Sequence, residues 1–319
     1  MNDALTSYSL VAAVSAIVVY ALAFIAFTID LSRRAARRGE TAATRPSVAS
    51  ASGGTATLVA APVAVDERSA RTPRFARVGL ALTTIGFLLG VAAIVTRGIA
   101  AGGRVPWSNM YEFALTGTTI IVGVFLLVHL WQRIEYLGTY ITGFALLALV
   151  LATVNFYVGP VPLPPPLQSV WIVVHVFVAI LATGFFALGA GLSIAQLLQA
   201  RREARRAGLT FLRTLPGAEA LENLAYRVNV IGFVFWTFTL VFGAIWAERA
   251  WGRYWGWDTK EVWTFIIWVI FAGYIHARAT RGWRGSRSSW LAIVGFAAVL
   301  FNFTIVNLFF KGLHAYSGL

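Results

Sequence analysis

Residues 246–268 read WAERAWGRYWGWDTKEVWTFIIW and hold six of the chain's twelve tryptophans. Asp258, Lys260 and Glu261 stand among them, and a long apolar run lies on either side. An aromatic stretch with a charged rim, hung between two membrane-length segments, points to a polytopic membrane protein whose loop suits a flat ligand. Tryptophan also gathers at membrane interfaces, where the ring is buried and the indole N–H stays wet. A belt of that kind spreads its tryptophans over many helix ends, whereas half of them fall in this one stretch. Asp258 followed three residues later by Glu261 has the pattern of a capping pair for the next helix, which accounts for the acidic residues without a ligand.

The composition bounds the class. Of 319 residues, 58% are hydrophobic and 12% charged, with a mean hydropathy of +0.73. An ordinary soluble domain is less apolar and carries about twice the charge. The chain has no cysteine, which excludes disulfides, thiol chemistry and thiolate-bound metal and leaves histidine as the strong ligand for a borderline metal. The net charge of +13 is read by loop and by side of the membrane, not as a nucleic-acid signal.

Apolar runs long enough to span a hydrocarbon core of ~30 Å occur at about 8–31, 78–97, 112–132, 138–158, 170–198, 227–247, 262–279 and 288–311. The fold class expected is therefore all-α, a polytopic helix bundle of eight spans. Arg33, Arg34, Arg37 and Arg38 follow the first run and no basic residue precedes it, the reverse of a signal peptide. Alternating the spans puts 20 of the 26 Lys and Arg residues on one side and six on the other. The positive-inside rule then sets both termini outside, and with them the Trp-rich loop. Three regions are expected: an N-terminal span over 1–32, a flexible cytoplasmic linker over 33–77 rich in Ala, Ser, Thr, Gly and Pro, and a seven-helix domain over 78–319 with its key loop at 246–263. Pro160, Pro162, Pro164, Pro165 and Pro166 should hold another outer loop extended as a stiff strap. No soluble catalytic domain, phosphate-binding glycine loop or long repeat is present, so any chemistry belongs to the bundle.

Four histidines remain. His175 lies within two turns of the outer start of the fifth span, and His314 just past the outer end of the eighth, so both flank the Trp-rich loop. His276 lies roughly 21 Å down the seventh span at 1.5 Å per residue, in the inner third of the bilayer, where an ionisable residue is by default a functional hypothesis. His129 is at a similar depth, and no other feature points to it; interhelical hydrogen bonding is its simpler account. Two imidazoles converging on an aromatic plate can hold an iron porphyrin by both axial positions. Gly252 and Gly256 would leave a notch for a flat ring if their loop is helical.

Trp251-Gly252, Trp255-Gly256-Trp257-Asp258, Lys260-Glu261 and Trp263 resemble the motif of the WWD-domain heme-handling family. The likeness is to the CcsA-type subunit (also named CcsB or ResC) of the System II cytochrome c synthase, and the run Pro106 to Phe113 resembles that family's first outer loop. The resemblance runs from about residue 78 to the end. It implies a protein of the cytoplasmic membrane that binds heme b non-covalently, as cargo, at an outer site and presents it for thioether attachment to apocytochrome Cys-x-x-Cys-His motifs. It implies His175 and His314 as axial iron ligands, His276 as a transient ligand on the inward route, and Trp251, Gly252, Trp255, Gly256, Trp257 and Asp258 as the heme-binding plate. The implied partners are a CcsB/ResB-type membrane subunit, apocytochrome c and a thioredoxin-like thiol reductant. An exporter or chaperone of the same superfamily, which presents heme without making the bond, is the alternative.

Overall fold

The computed structural model describes residues 2–43, 74–161, 163, 168–205, 210–280, 282–310 and 312–313. Among these the elements are helices, with no strand: α1 (Asn2–Ala43), α2 (Arg74–Ala100), α3 (Met110–His129), α4 (Gly138–Asn155), α5 (Val170–Arg205), α6 (Ala218–Trp251), α7 (Thr259–Thr280), α8 (Ser286–Phe303) and α9 (Ile305–Phe309). Eight spans are long and apolar enough to cross a membrane, with α8 and α9 forming one of them. The expected all-α polytopic architecture is what the chain adopts.

Several helices overrun the apolar runs that start them. α1 continues for 42 residues, through Arg33 to Arg38 and on to Ala43, eleven residues into the segment expected to be linker. Alanine and arginine are strong helix formers, so nothing in that stretch stops the helix where hydrophobicity ends. Residues 44–73 of the expected linker lie outside the described residues, and its last four, 74–77, open α2. α5 and α6, at 36 and 34 residues, likewise exceed the ~20 residues a bilayer core needs. The last span instead breaks at Thr304, whose hydroxyl bonds back to Leu300 O at 2.7 Å. Such a back-bond bends a helix, and the chain restarts as α9.

α5 lies at the centre, packed on α6, α3 and α8, while α1 packs on α2 and α4. The N-terminal span is therefore built into the bundle. Phe27 fills a notch where Gly79 and Gly138 approach it so closely that a Cβ at Gly79 would stand 2.9 Å from the ring. The Ser9 hydroxyl donates to Ala93 O at 2.8 Å across the same pair of helices. The opposite face of α2 exposes Val78, Ile85, Leu88 and Val95, a stripe that only hydrocarbon would solvate.

The loops sort to the two ends. Arg104 reaches the carbonyl of Val161, Asn307 reaches Met110, and Leu163 packs on the cluster of Ile172 and Trp246, so the chain ends of α2, α4, α6 and α8 meet at one end. Arg278 and Glu222 pair at 3.1 Å toward the other.

Candidate functional site

At the end where those four chain ends meet, α3 to α9 surround a cavity of about 570 Å³. Small-molecule and cofactor sites run to roughly 300–1,000 Å³, mostly apolar with a few placed polar groups. The walls here follow that pattern, with Phe113, Ile180, Trp236, Trp246 and Trp255 interrupted by His175 and Lys260.

His175 enters from the second turn of α5. Its Nδ1 lies 2.9 Å from the backbone carbonyl of Thr239 on α6. A carbonyl only accepts, so Nδ1 carries the proton and the lone pair of the neutral ring sits on Nε2, the tautomer of a metal-ligating imidazole. Trp246 stacks beside the ring at 5.9 Å between centroids, with planes 14° apart. On the α6 side the ring rests against Gly243, where a Cβ would come within 2.8 Å of Cε1. Thr239, Gly243 and Trp246 thus fix the imidazole's tautomer and its tilt.

The Trp-rich loop divides its residues. Gly252, at φ 71° and ψ 19°, ends α6 as a left-handed cap, its N–H bonding Glu248 O at 2.8 Å. Residues 253–258 are not helical, so Gly252 and Gly256 do not form the helical notch, and the Arg253 guanidinium lies over Gly256. Left-handed backbone at Gly252 costs a glycine nothing, and this is why α6 stops one residue short of the loop. Trp251 packs edge-on against Trp246 at 4.7 Å, behind the cavity wall. Trp255 faces the cavity, whereas Trp257 is 77% exposed and does not line it. Trp257 also has φ 59°, a strained conformation for a bulky side chain. The Glu261 half of the expected capping pair is present: one oxygen of Glu261 accepts from the N–H of Asp258 at 3.0 Å and of Gly256 at 2.8 Å. That single carboxylate draws the loop down onto the start of α7. Asp258 abuts the backbone at Gly312, two residues before His314.

A second polar structure, which the sequence did not disclose, holds the first loop. Glu112 is fully buried and receives Arg97 Nε at 2.9 Å, Arg104 Nη1 at 2.8 Å and the N–H and hydroxyl of Ser108 at 3.0 and 2.9 Å. Asn109 caps α3 by accepting from Glu112 N at 2.9 Å. Arg97 Nη2 donates to the carbonyl of Val158, and Arg104 Nε and Nη2 to that of Val161, in the segment before α5. Trp107, Ser108, Asn109 and Met110 are thereby set as one wall of the cavity. The only sequence signal was the Asn-x-x-Glu spacing; both arginines come from elsewhere in the chain.

Of the other described histidines, neither His129 nor His276 lines the cavity. His276 is exposed on α7, away from the stripe of Ile267, Phe271 and Tyr274 that α7 buries. His129 ends α3, stacked on Phe125 at 6.4 Å, with its Nδ1 buried and lacking a hydrogen-bond partner. His314 lies outside the described residues, as do Pro162, Pro164, Pro165 and Pro166 of the strap. Leu308, six residues before His314, lines the cavity.

The fold and site define a multi-pass membrane protein with a ligand-sized aromatic cavity at one end of its bundle. The family model for the Cytochrome C assembly protein matches residues 107–314, from the first wall of that cavity to the tail. The chain belongs to that family. It is 33% identical over 300 residues to a cytochrome c biogenesis protein CcsA of Synechococcus sp. (strain JA-2-3B'a(2-13)), covering 76% of this chain and 85% of the relative. The CcsA of Guillardia theta is 33% identical over 258 residues, with coverage of 75% and 84%. That of Gloeobacter violaceus is 31% identical over 303 residues, with coverage of 78% and 89%.

Proposed function

We propose that this chain serves cytochrome c maturation by binding heme as cargo in the cavity at the Trp-rich end and presenting it for covalent attachment to apocytochrome c. The observation that carries this is His175, in an apolar cavity of about 570 Å³, with Nδ1 committed to Thr239 O so that Nε2 can face a metal. The volume and walls suit a porphyrin: Trp246 and Trp255 offer ring surface among mostly apolar side chains.

His314 is the second axial ligand in this proposal. Its support is the tail's course, since Leu308 lines the cavity and Gly312 packs on Asp258. Bis-imidazole ligation keeps dioxygen from the ferrous iron. The histidine of an incoming Cys-x-x-Cys-His motif can then replace one ligand. Attachment adds each cysteine S–H across a vinyl C=C, the sulfur bonding one carbon and the hydrogen the other. The protein need supply only position and a reduced thiol, so proximity is its main contribution. A thioredoxin-like reductant would keep the apocytochrome cysteines reduced.

His276 belongs earlier on the route. Its exposure on α7 suits a face covered by a CcsB/ResB-type partner subunit, where a transiently ligated heme would pass. The Trp-rich end is placed on the extracytoplasmic side of the cytoplasmic membrane, following the charge asymmetry.

The test is the visible spectrum of the protein purified with its partner from heme-replete cells. A six-coordinate, bis-imidazole b-type spectrum is expected. Colourless protein that also fails to take up added heme would overturn the proposal.

A further inference from the structure

Lys260 is the only lysine or arginine among the described residues that line the cavity. It stands in the first turn of α7, half-buried, with its ammonium donating to Asn307 Oδ1. Asn307 is itself oriented: its amide nitrogen donates to Phe303 O at 2.7 Å and lies 3.3 Å from Met110 Sδ. The amide oxygen is therefore left for Lys260, and three elements cooperate to hold one cation at the cavity wall.

Two acids stand nearby, and Glu261 shares the cavity wall with Lys260. One oxygen of the Glu261 carboxylate is taken up by the backbone N–H groups of Gly256 and Asp258, which ties that acid to the loop and not to the ammonium. Asp258 acts on Lys260 electrostatically, but its carboxylate lies against Gly312 on the tail side. Among the described residues no carboxylate forms an ion pair with the ammonium. An ammonium has three donors, and Asn307 occupies one. A cation half-withdrawn from water beside an apolar cavity is costly unless an anion meets it there.

We propose that Lys260 recognises a carboxylate carried by the planar apolar ligand of this cavity. This rests on the proposed function, under which the carboxylate is a heme propionate and Lys260 sets which edge of the macrocycle turns toward α7 and the tail. Orientation matters to the reaction because the vinyl edge must then face the incoming thiols.

The test titrates the full chain, purified with its partner subunit and freed of heme, with iron protoporphyrin IX and with its dimethyl ester, following the absorbance. A hydrogen bond to a charged group predicts that the wild type prefers the diacid by roughly tenfold to a hundredfold. Lys260→Met should bind both porphyrins alike, and Lys260→Arg should keep the preference. A wild type that binds both equally, or a Lys260→Met protein that still prefers the diacid, overturns the assignment of Lys260 while leaving the heme site standing. A wild type that binds neither overturns both. Should Lys260→Met fail to fold, the wild-type comparison and Lys260→Arg still decide.

Discussion

Arg97 and Glu112, 1% and 0% exposed, meet at 2.9 Å and form the centre of a buried network that ties the loop after α2 to the strap before α5. Two guanidinium groups share the one carboxylate, and the two strap carbonyls accept what it leaves unmet. Removing the acid strands two cations, whereas removing Arg104 leaves the Arg97 pair intact. Glu112→Ala should therefore destabilise the protein by about 3–5 kcal/mol. Arg104→Ala should cost clearly less. Thermal unfolding in detergent, read alongside the yield of intact protein, checks the order. Equal stability in both variants would show that the network does not hold this end of the bundle.

How far such features were legible depends on whether a local pattern encodes them. The eight spans were, because a run of some twenty apolar residues has few other uses. The Asp258–Glu261 cap was, because both partners lie within one turn. The Glu112 network was not, since its arginines are fifteen and eight residues away and meet the carboxylate only when two loops fold together. The fates of Trp255 and Trp257 were equally closed: Trp257 sits at a left-handed φ, exposed with its ring edge-on to Trp255 at 5.9 Å, and no periodicity runs through a non-helical loop. His276 was half legible. Depth could be counted along α7, but its direction follows from the buried phase of Ile267, Phe271 and Tyr274, which becomes known only once the neighbours are in place.

Gly243→Ala separates stability from function. Alanine in a helix interior is favoured over glycine by roughly 0.5–1 kcal/mol, so backbone stability should hold or rise. The new methyl, however, would come within 2.8 Å of His175 Cε1 and push the ring from Thr239 O. An unchanged or higher unfolding temperature, with weakened or altered axial ligation in the heme spectrum and a lower cytochrome c yield, is the expected pair of results. Full heme ligation in this variant would mean that the tilt imposed by α6 is unimportant.

Orientation can be tested without heme. With 20 of 26 basic residues on one side by alternation, a periplasm-active reporter fused after Leu319 should be active, and the same reporter inserted within residues 44–73 should be silent. A cytoplasm-active reporter should give the opposite result at each site. A C-terminus on the cytoplasmic side would remove His314 from the proposed ligand pair.

The two ends of the proposed heme route should respond differently to loss of a histidine. His175 lies in the cavity wall with its tautomer fixed, so His175→Gly should leave the iron short of one ligand that added imidazole can supply, restoring part of the six-coordinate spectrum and of cytochrome maturation. His276 is exposed on the far stretch of α7, so replacing it empties no packed site, and His276→Ala should change stability by less than about 0.5 kcal/mol. Its effect should fall on supply: less heme in the cavity, with the ligands of what does arrive unchanged. Imidazole should not restore the amount, because the loss occurs before the cavity is reached. If His276→Ala protein carries full heme and supports full cytochrome output, α7 plays no part in the inward route, and the cavity must be loaded along another face of the bundle.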